Sequence, residues 1–132
     1  MSTAQENVDN NEVEKFNAIA ASWWDLDGEF KPLHKLNPTR VAYIQEKTQG
    51  VAHKSALDIG CGGGILAESL AKLNADVTGI DLAQDSLNVA KLHALDSGLK
   101  NINYQKVSAE NFAQDNQNQF DLVTCMEMLE HV

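Results

Sequence analysis

Four glycines in five positions, at 60, 62, 63 and 64 within the run SALDIGCGGG (residues 55–64), constrain this chain more than any other stretch. An apolar segment with Ala56, Leu57 and Ile59 leads into them, and the helical pattern ILAESLAKL follows at once, which predicts strand, tight turn and helix. Glycines this dense destabilise a helix start unless something needs the space. Lacking Cβ atoms, they allow positive φ and let a ligand lie almost on the backbone, while the free N–H groups of the helix start offer it donors.

Asp81 lies 21 residues after Gly60, at the end of a second strand candidate, DVTGID. An acid about 20 positions past a glycine turn, at the tip of the next strand, is placed to accept both ribose hydroxyls of a nucleoside cofactor. A dinucleotide fingerprint fits only when shifted to Gly62, Gly64 and Ala67, because a start at Gly60 puts Ile65 at its sixth position. The pattern acid-x-G-x-G-x-G is met in full by Asp58, Gly60, Gly62 and Gly64. A carboxylate at Asp58 would repel a pyrophosphate and suits the cationic methionine end of S-adenosylmethionine. Asp58, Gly60, Gly62 and Asp81 are therefore the expected cofactor contacts of this unit, with a nicotinamide dinucleotide as the rival ligand.

At 132 residues the chain is one domain or part of one. Nineteen acids against ten bases give a net charge of −9, which argues against a nucleic-acid polyanion as partner. The charge is uneven: residues 31–54 carry five bases and one acid between two acidic flanks, and either pair with those flanks or face an anionic surface. No apolar run approaches the ~20 residues of a membrane span, and MSTAQENVDNN has neither the basic end nor the apolar core of an export signal, so a cytoplasmic protein is expected. Cys61 and Cys125 are too few for a disulfide framework or a zinc site and read as small buried thiols.

Residues 1–11 read as a disordered tail, 12–50 as an N-terminal helical segment and 51–132 as the first half of a Rossmann-like domain. From Asn11 a helical pattern places Val13, Phe16, Ala20 and Trp23 on one face. It can close as a lid with Trp23 and Trp24 beside the cofactor cleft, or the tryptophans can be ordinary packing residues. DLDGEFKPLHKLNP reads as loop, and Asn37–Pro38 as N-cap and first position of a helix over 38–47. Arg40 then falls in a first turn, where a cation opposes the helix dipole, which points to an anionic partner such as a cofactor carboxylate, or else to a plain surface arginine. Helices near 63–73 and 83–96 and strands at 76–81, 102–107 and 120–125 complete a βαβαβ rhythm, which demands a parallel sheet with helices on its faces. Ligands of such sheets sit beyond the carboxyl ends of the strands. The last expected strand would leave an apolar edge uncovered, so the chain reads as the front of a longer protein.

CMEMLEHV places Glu127, Glu130 and His131 at i, i+3 and i+4. Two carboxylates and an imidazole on one helix face can hold a hard divalent cation, or can form a solvated face. The stretches WWDLDGEFKPLH, LNPTR, LDIGCGGGILAESLA, VTGIDLA, VAKLHAL and TCMEMLEHV together resemble the ubiquinone biosynthesis O-methyltransferases. The resemblance implies the class I S-adenosylmethionine-dependent methyltransferase fold, an α/β Rossmann-like parallel sheet with helices on both faces and an N-terminal helical lid. That sheet would be incomplete here at its C-terminus.

It also implies methyl transfer from S-adenosyl-L-methionine to ring hydroxyls of polyprenyl catechol and demethylubiquinol intermediates. Arg40 would hold the cofactor carboxylate, with Gly60, Asp81 and Met126 as further cofactor contacts. Glu127, Glu130 and His131 match magnesium ligands of the mitochondrial relatives and are the expected catalytic and metal residues, with Mg2+ as second cofactor. Partners would be the polyprenyl phenol or quinol substrate and a peripheral membrane or biosynthetic-complex association, without nucleic acid. A phenol pKa of about 10 against about 6.5 for histidine leaves His131 a weak base alone, so a cation on the catechol oxygens is expected to help remove the proton. Where many methyltransferases carry an Asp after the third strand, this chain has Ser108, Ala109 and Glu110, which leaves the adenine contact to backbone groups or Glu110. The rival functions are a nicotinamide-dependent oxidoreductase and a non-catalytic cofactor-binding module.

Overall fold

Strand alternation sorts the apolar residues of this chain onto two faces of one sheet. The computed structural model describes residues 21–115 and 119–125. Helix α1 (Lys31–Thr48) precedes β1 (Ser55–Ile59), α2 (Ile65–Lys72), β2 (Asp76–Asp81), α3 (Gln84–Asp96), β3 (Ile102–Lys106), α4 (Ala109–Asp115) and β4 (Leu122–Thr124). The four strands are all parallel in the order β3-β2-β1-β4, as the βαβ rhythm requires. Ala56 and Val77 turn toward a core shared with Ile44 of α1, Leu70 of α2 and Leu87 of α3. Leu57 and Ile80 turn the other way, onto Phe112 of α4 with Ile59, Val107 and Phe120 around them.

Two expectations are corrected. Helix α1 begins at Lys31 and runs through Pro38, where a loop and then a helix start were expected. Pro32 sits in the first turn, where a missing N–H costs nothing, and Pro38 sits inside the helix, where it removes one backbone bond. Packing on α2 outweighs that loss: Ile44 is buried, and Asn37, far from capping a helix, donates from Nδ2 to Ser69 Oγ at 2.7 Å. Arg40 thus lies in the middle of a helix, and the dipole argument for its partner no longer applies.

The second correction is α4, a helix between β3 and β4 that hydrophobic periodicity did not mark. Ser108 starts it by accepting the Asn111 N–H on its Oγ at 3.1 Å, and Phe112 anchors it, buried against the sheet. The expected tail at 1–11 and the helix begun at Asn11 lie outside the described residues, except that 21–24 are helical. Among the described residues no helix is long and apolar enough to cross a membrane.

Tyr104 of β3 fills the space that two glycines leave. A Cβ on Gly79 would lie 2.8 Å from its ring carbons, and one on Gly64 would lie 2.5 Å from its hydroxyl. The hydroxyl is buried and has no hydrogen-bond partner among the described residues. Burial, reinforced by nearby Cys61, Glu68 and Asp58, holds the phenol far above its usual pKa, so it stays protonated. Removing an orphaned buried hydroxyl removes its desolvation cost, so Tyr104→Phe should be neutral or stabilising by about 1 kcal/mol. Thermal melting checks this, and a lower midpoint would mean that the hydroxyl has a partner.

Candidate functional site

The strand order reverses at β1, with β2 and β3 to one side of it and β4 to the other, so a crevice opens beyond the carboxyl ends of β1 and β4, next to that of β2. In open parallel sheets that crevice is where ligands bind. The glycine turn fills its centre, with Gly60, Gly62 and Gly64 at φ of 70°, 55° and 90°. Such values are strained for a side chain and open to glycine. The N–H groups of Gly60 and Cys61 both donate to the Ile80 carbonyl, at 2.9 and 3.0 Å, which ties the turn to β2.

Asp81 at the tip of β2 completes the frame. Its Oδ2 accepts the Gly62 N–H at 2.9 Å and its Oδ1 accepts the Ala83 N–H at 2.9 Å. Each oxygen keeps a further lone pair, so the carboxyl is fixed in position and still able to accept from a ligand hydroxyl. Beside it opens a groove of about 220 Å³ walled by Ile59, Ile80, Leu82, Val107 and Ala109, with Gly60, Asp81 and Ser108 at its polar end. That is smaller than the ~300–1,000 Å³ of a whole ligand pocket and suits the flat, nucleobase end of a ligand that continues along the glycine turn. Leu82, 64 % exposed, stands free at its rim as an apolar face for such a ring. Glu110 is exposed in the first turn of α4 and is not part of the wall, whereas Ser108 and Ala109 are.

Asp58 is 4 % exposed, and the Thr124 hydroxyl of β4 donates to its Oδ1 at 2.8 Å, linking the two strands that flank the reversal. The structure therefore gathers Asp58, Gly60, Gly62 and Asp81 on one edge. Arg40 is half-buried in the middle of α1. Met126, Glu127, Glu130 and His131 lie outside the described residues, and with them the expected metal ligands. Among the described residues no group of three His, Cys, Asp or Glu side chains is placed to hold a metal.

The sequence left the tryptophans either beside the cofactor cleft or as ordinary packing residues, and the structure sets both against the glycine turn. Trp23 lies so close over Gly63 that a Cβ there would be 2.5 Å from the indole, and it stacks on Phe30 at 3.9 Å. Trp24 donates its Nε1–H to the Gly63 carbonyl at 3.1 Å. Its ring lies flat on His93 of α3, 3.6 Å away with planes 3° apart. His34 Nε2–H donates to the Trp23 carbonyl at 2.8 Å, which fastens the segment from its other side. Glu68 and His93 were missed. Their one signal in the sequence is a glutamate among the apolar positions of ILAESLAKL, where it is 1 % exposed.

The family model described as a methyltransferase domain matches residues 56–132, which contain the glycine turn and Asp81. Among curated proteins, the ubiquinone biosynthesis O-methyltransferase of Pseudoalteromonas translucida (strain TAC 125) is 58% identical over 130 residues, covering 98% of this chain and 55% of the relative. The chain thus spans about half the length of the curated relatives it matches. Among solved structures, the YcgJ protein of Bacillus subtilis superimposes with a TM-score of 0.58 at 26% identity, over 64% of this chain and 36% of that one. The Trypanosoma brucei PRMT1 enzyme–prozyme complex with AdoHcy gives 0.55 at 26% identity, over 67% and 28%.

Proposed function

This chain belongs to the methyltransferase domain family, with its class I Rossmann-like fold, and from that premise we propose that its glycine turn binds S-adenosyl-L-methionine. The observation that carries the reading is Asp81, locked by the Gly62 and Ala83 amides at the mouth of an apolar groove, where a ribose would join the turn to a base. Asp58, Gly60 and Gly62 line the path toward the methionine end, and Arg40 and Met126 would add contacts there. When bound, the cofactor supplies a methyl group already activated on a sulfonium. The protein is left to align the acceptor oxygen and help it lose its proton.

The acceptor we propose is a ring hydroxyl of a polyprenyl catechol or demethylubiquinol, in ubiquinone biosynthesis. Identity of 54–58% to proteins named for that reaction supports it. Glu127, Glu130 and His131 would hold and deprotonate the ring hydroxyl, with a divalent cation such as Mg2+ held by the two carboxyls and the imidazole. An acceptor with a polyprenyl tail dissolves in the bilayer, so we place the protein in the cytoplasm, peripheral to the inner membrane face or within a biosynthetic complex. N-terminal residues 12–50 would cap the cofactor domain that begins at 51.

Titration calorimetry with S-adenosylhomocysteine and then NADH, after circular dichroism has shown a folded chain, separates the cofactor classes. Micromolar binding to the first and none to the second is the expected outcome. Binding to NADH alone would make the chain an oxidoreductase module. Methyl transfer to a catechol bearing a short prenyl chain, measured with Glu127→Ala alongside, tests the acceptor.

A further inference from the structure

The helix after the glycine turn buries a carboxyl where its neighbours are apolar. Glu68 is 1 % exposed among Ile65, Ala67, Leu70 and Ala71. A buried carboxyl is costly unless partnered, and a leucine would fill the place without that cost. One oxygen is partnered: the Nδ1–H of His93 donates to Oε2 at 2.5 Å, while Oε1 has no partner among the described residues. The imidazole so held lies flat against Trp24, whose indole N–H meets the Gly63 carbonyl. The path therefore leaves α2 at Glu68, crosses α3 at His93 and returns through Trp24 to the turn from which α2 starts.

We propose that Glu68 and His93 are positioning residues that orient Trp24 so that its N–H holds the Gly63 peptide, and with it the glycine turn, in the shape that receives the cofactor. The inference rests on the turn being the cofactor site. An imidazole free to rotate would present its edge as often as its face, and the carboxyl fixes which face Trp24 meets. Docking of residues 21–30 on the turn and binding of the ligand then favour each other, because coupling of this kind is reciprocal.

The test uses Trp24→Phe, which keeps a smaller aromatic face and loses the N–H, and His93→Phe, which keeps a stacking face and loses the link to Glu68. Glu68→Leu removes the acceptor, and Glu68→Gln keeps an acceptor oxygen for His93. Amide hydrogen exchange of residues 60–64 reads the turn without any ligand, and calorimetry with S-adenosylhomocysteine reads the site. Trp24→Phe, His93→Phe and Glu68→Leu should each exchange faster at the turn and bind about three- to tenfold more weakly, the worth of one hydrogen bond. Glu68→Gln should stay near the parent in both. Glu68→Leu should melt no lower than the parent, which a merely structural glutamate would not allow. Unchanged exchange at the turn, or faster exchange with unchanged affinity, overturns the proposal. Failure of the parent chain to bind S-adenosylhomocysteine would instead sink the cofactor reading, and the exchange data would still decide whether the path holds the turn.

Discussion

Gly64→Ala is expected to lower stability by about 2–4 kcal/mol, a large share of the ~5–15 kcal/mol that holds a domain together. Two costs add. The backbone at Gly64 has φ of 90°, which an L side chain rarely adopts, so alanine is strained by about 1 kcal/mol or more wherever its methyl points. The methyl would also lie 2.5 Å from the Tyr104 hydroxyl and 3.2 Å from the Ala90 Cβ, and overpacking of this kind costs about 1–3 kcal/mol. Tyr104 cannot swing aside, since its ring is held under Gly79 and it is itself only 7 % exposed. The two costs can be separated. In Tyr104→Phe the hydroxyl is gone, and the nearest remaining ring atom, Cζ, would be 3.4 Å from the new methyl, an ordinary contact. Gly64→Ala placed on that background should therefore escape the clash with the hydroxyl and cost only the backbone strain and the 3.2 Å approach to the Ala90 Cβ. Chemical denaturation of the four proteins measures it, and additive effects of the two substitutions would show that the hydroxyl is not what the methyl meets.

That glycine illustrates what local sequence can and cannot disclose. A strand, a turn and a helix in twenty residues are governed by alternation, by glycine's freedom at positive φ and by helical periodicity, all local, and the structure has them at 55–72 as expected. Asp81 was legible for the same reason, because a strand of fixed rise sets where its last residue falls. That Gly64 makes room for a tyrosine forty residues on was not legible, because nothing near Gly64 refers to Tyr104.

Pro38 misled by the same logic. Asn-Pro is a sound local signal for a helix start, but the contacts of Asn37 with Ser69 and of Ile44 with the core extend the helix seven residues earlier, to Lys31. Helix α4 is short enough that one cap and one phenylalanine hold it, too little for periodicity to register. Asp58 was chosen for its charge opposite a cation, and burial against Thr124 gives it a second task, joining β1 to β4. The union of residues 24, 68 and 93 is wholly tertiary, and only the misplaced polarity of Glu68 announced it.

Asp81→Ala should weaken S-adenosylhomocysteine binding at least about 100-fold, given about 1.5–3 kcal/mol for each hydrogen bond to a charged group and two ribose hydroxyls to lose. The substitution also frees the Gly62 and Ala83 amides, which now share the carboxyl. Because Asp81 is only half-buried, water can reach those amides, so the cost to stability should be about 1–2 kcal/mol and the chain should remain folded. Asp81→Asn refines the point. Its single carbonyl oxygen can serve Gly62 or Ala83 but not both, and its NH2 would face an N–H, so affinity should fall nearly as far although shape and volume are kept. The contrast with Asp58 is the deciding comparison. Asp58→Asn retains an oxygen for the Thr124 hydroxyl and removes the charge, so a ligand with no positive centre should bind it as well as it binds the parent. Adenosine is such a ligand: it should discriminate against Asp81→Ala and ignore Asp58→Asn, whereas S-adenosylmethionine should discriminate against both. If adenosine bound Asp81→Ala as tightly as the parent, the ribose would lie elsewhere, and the groove beside Leu82 would have to be given another occupant.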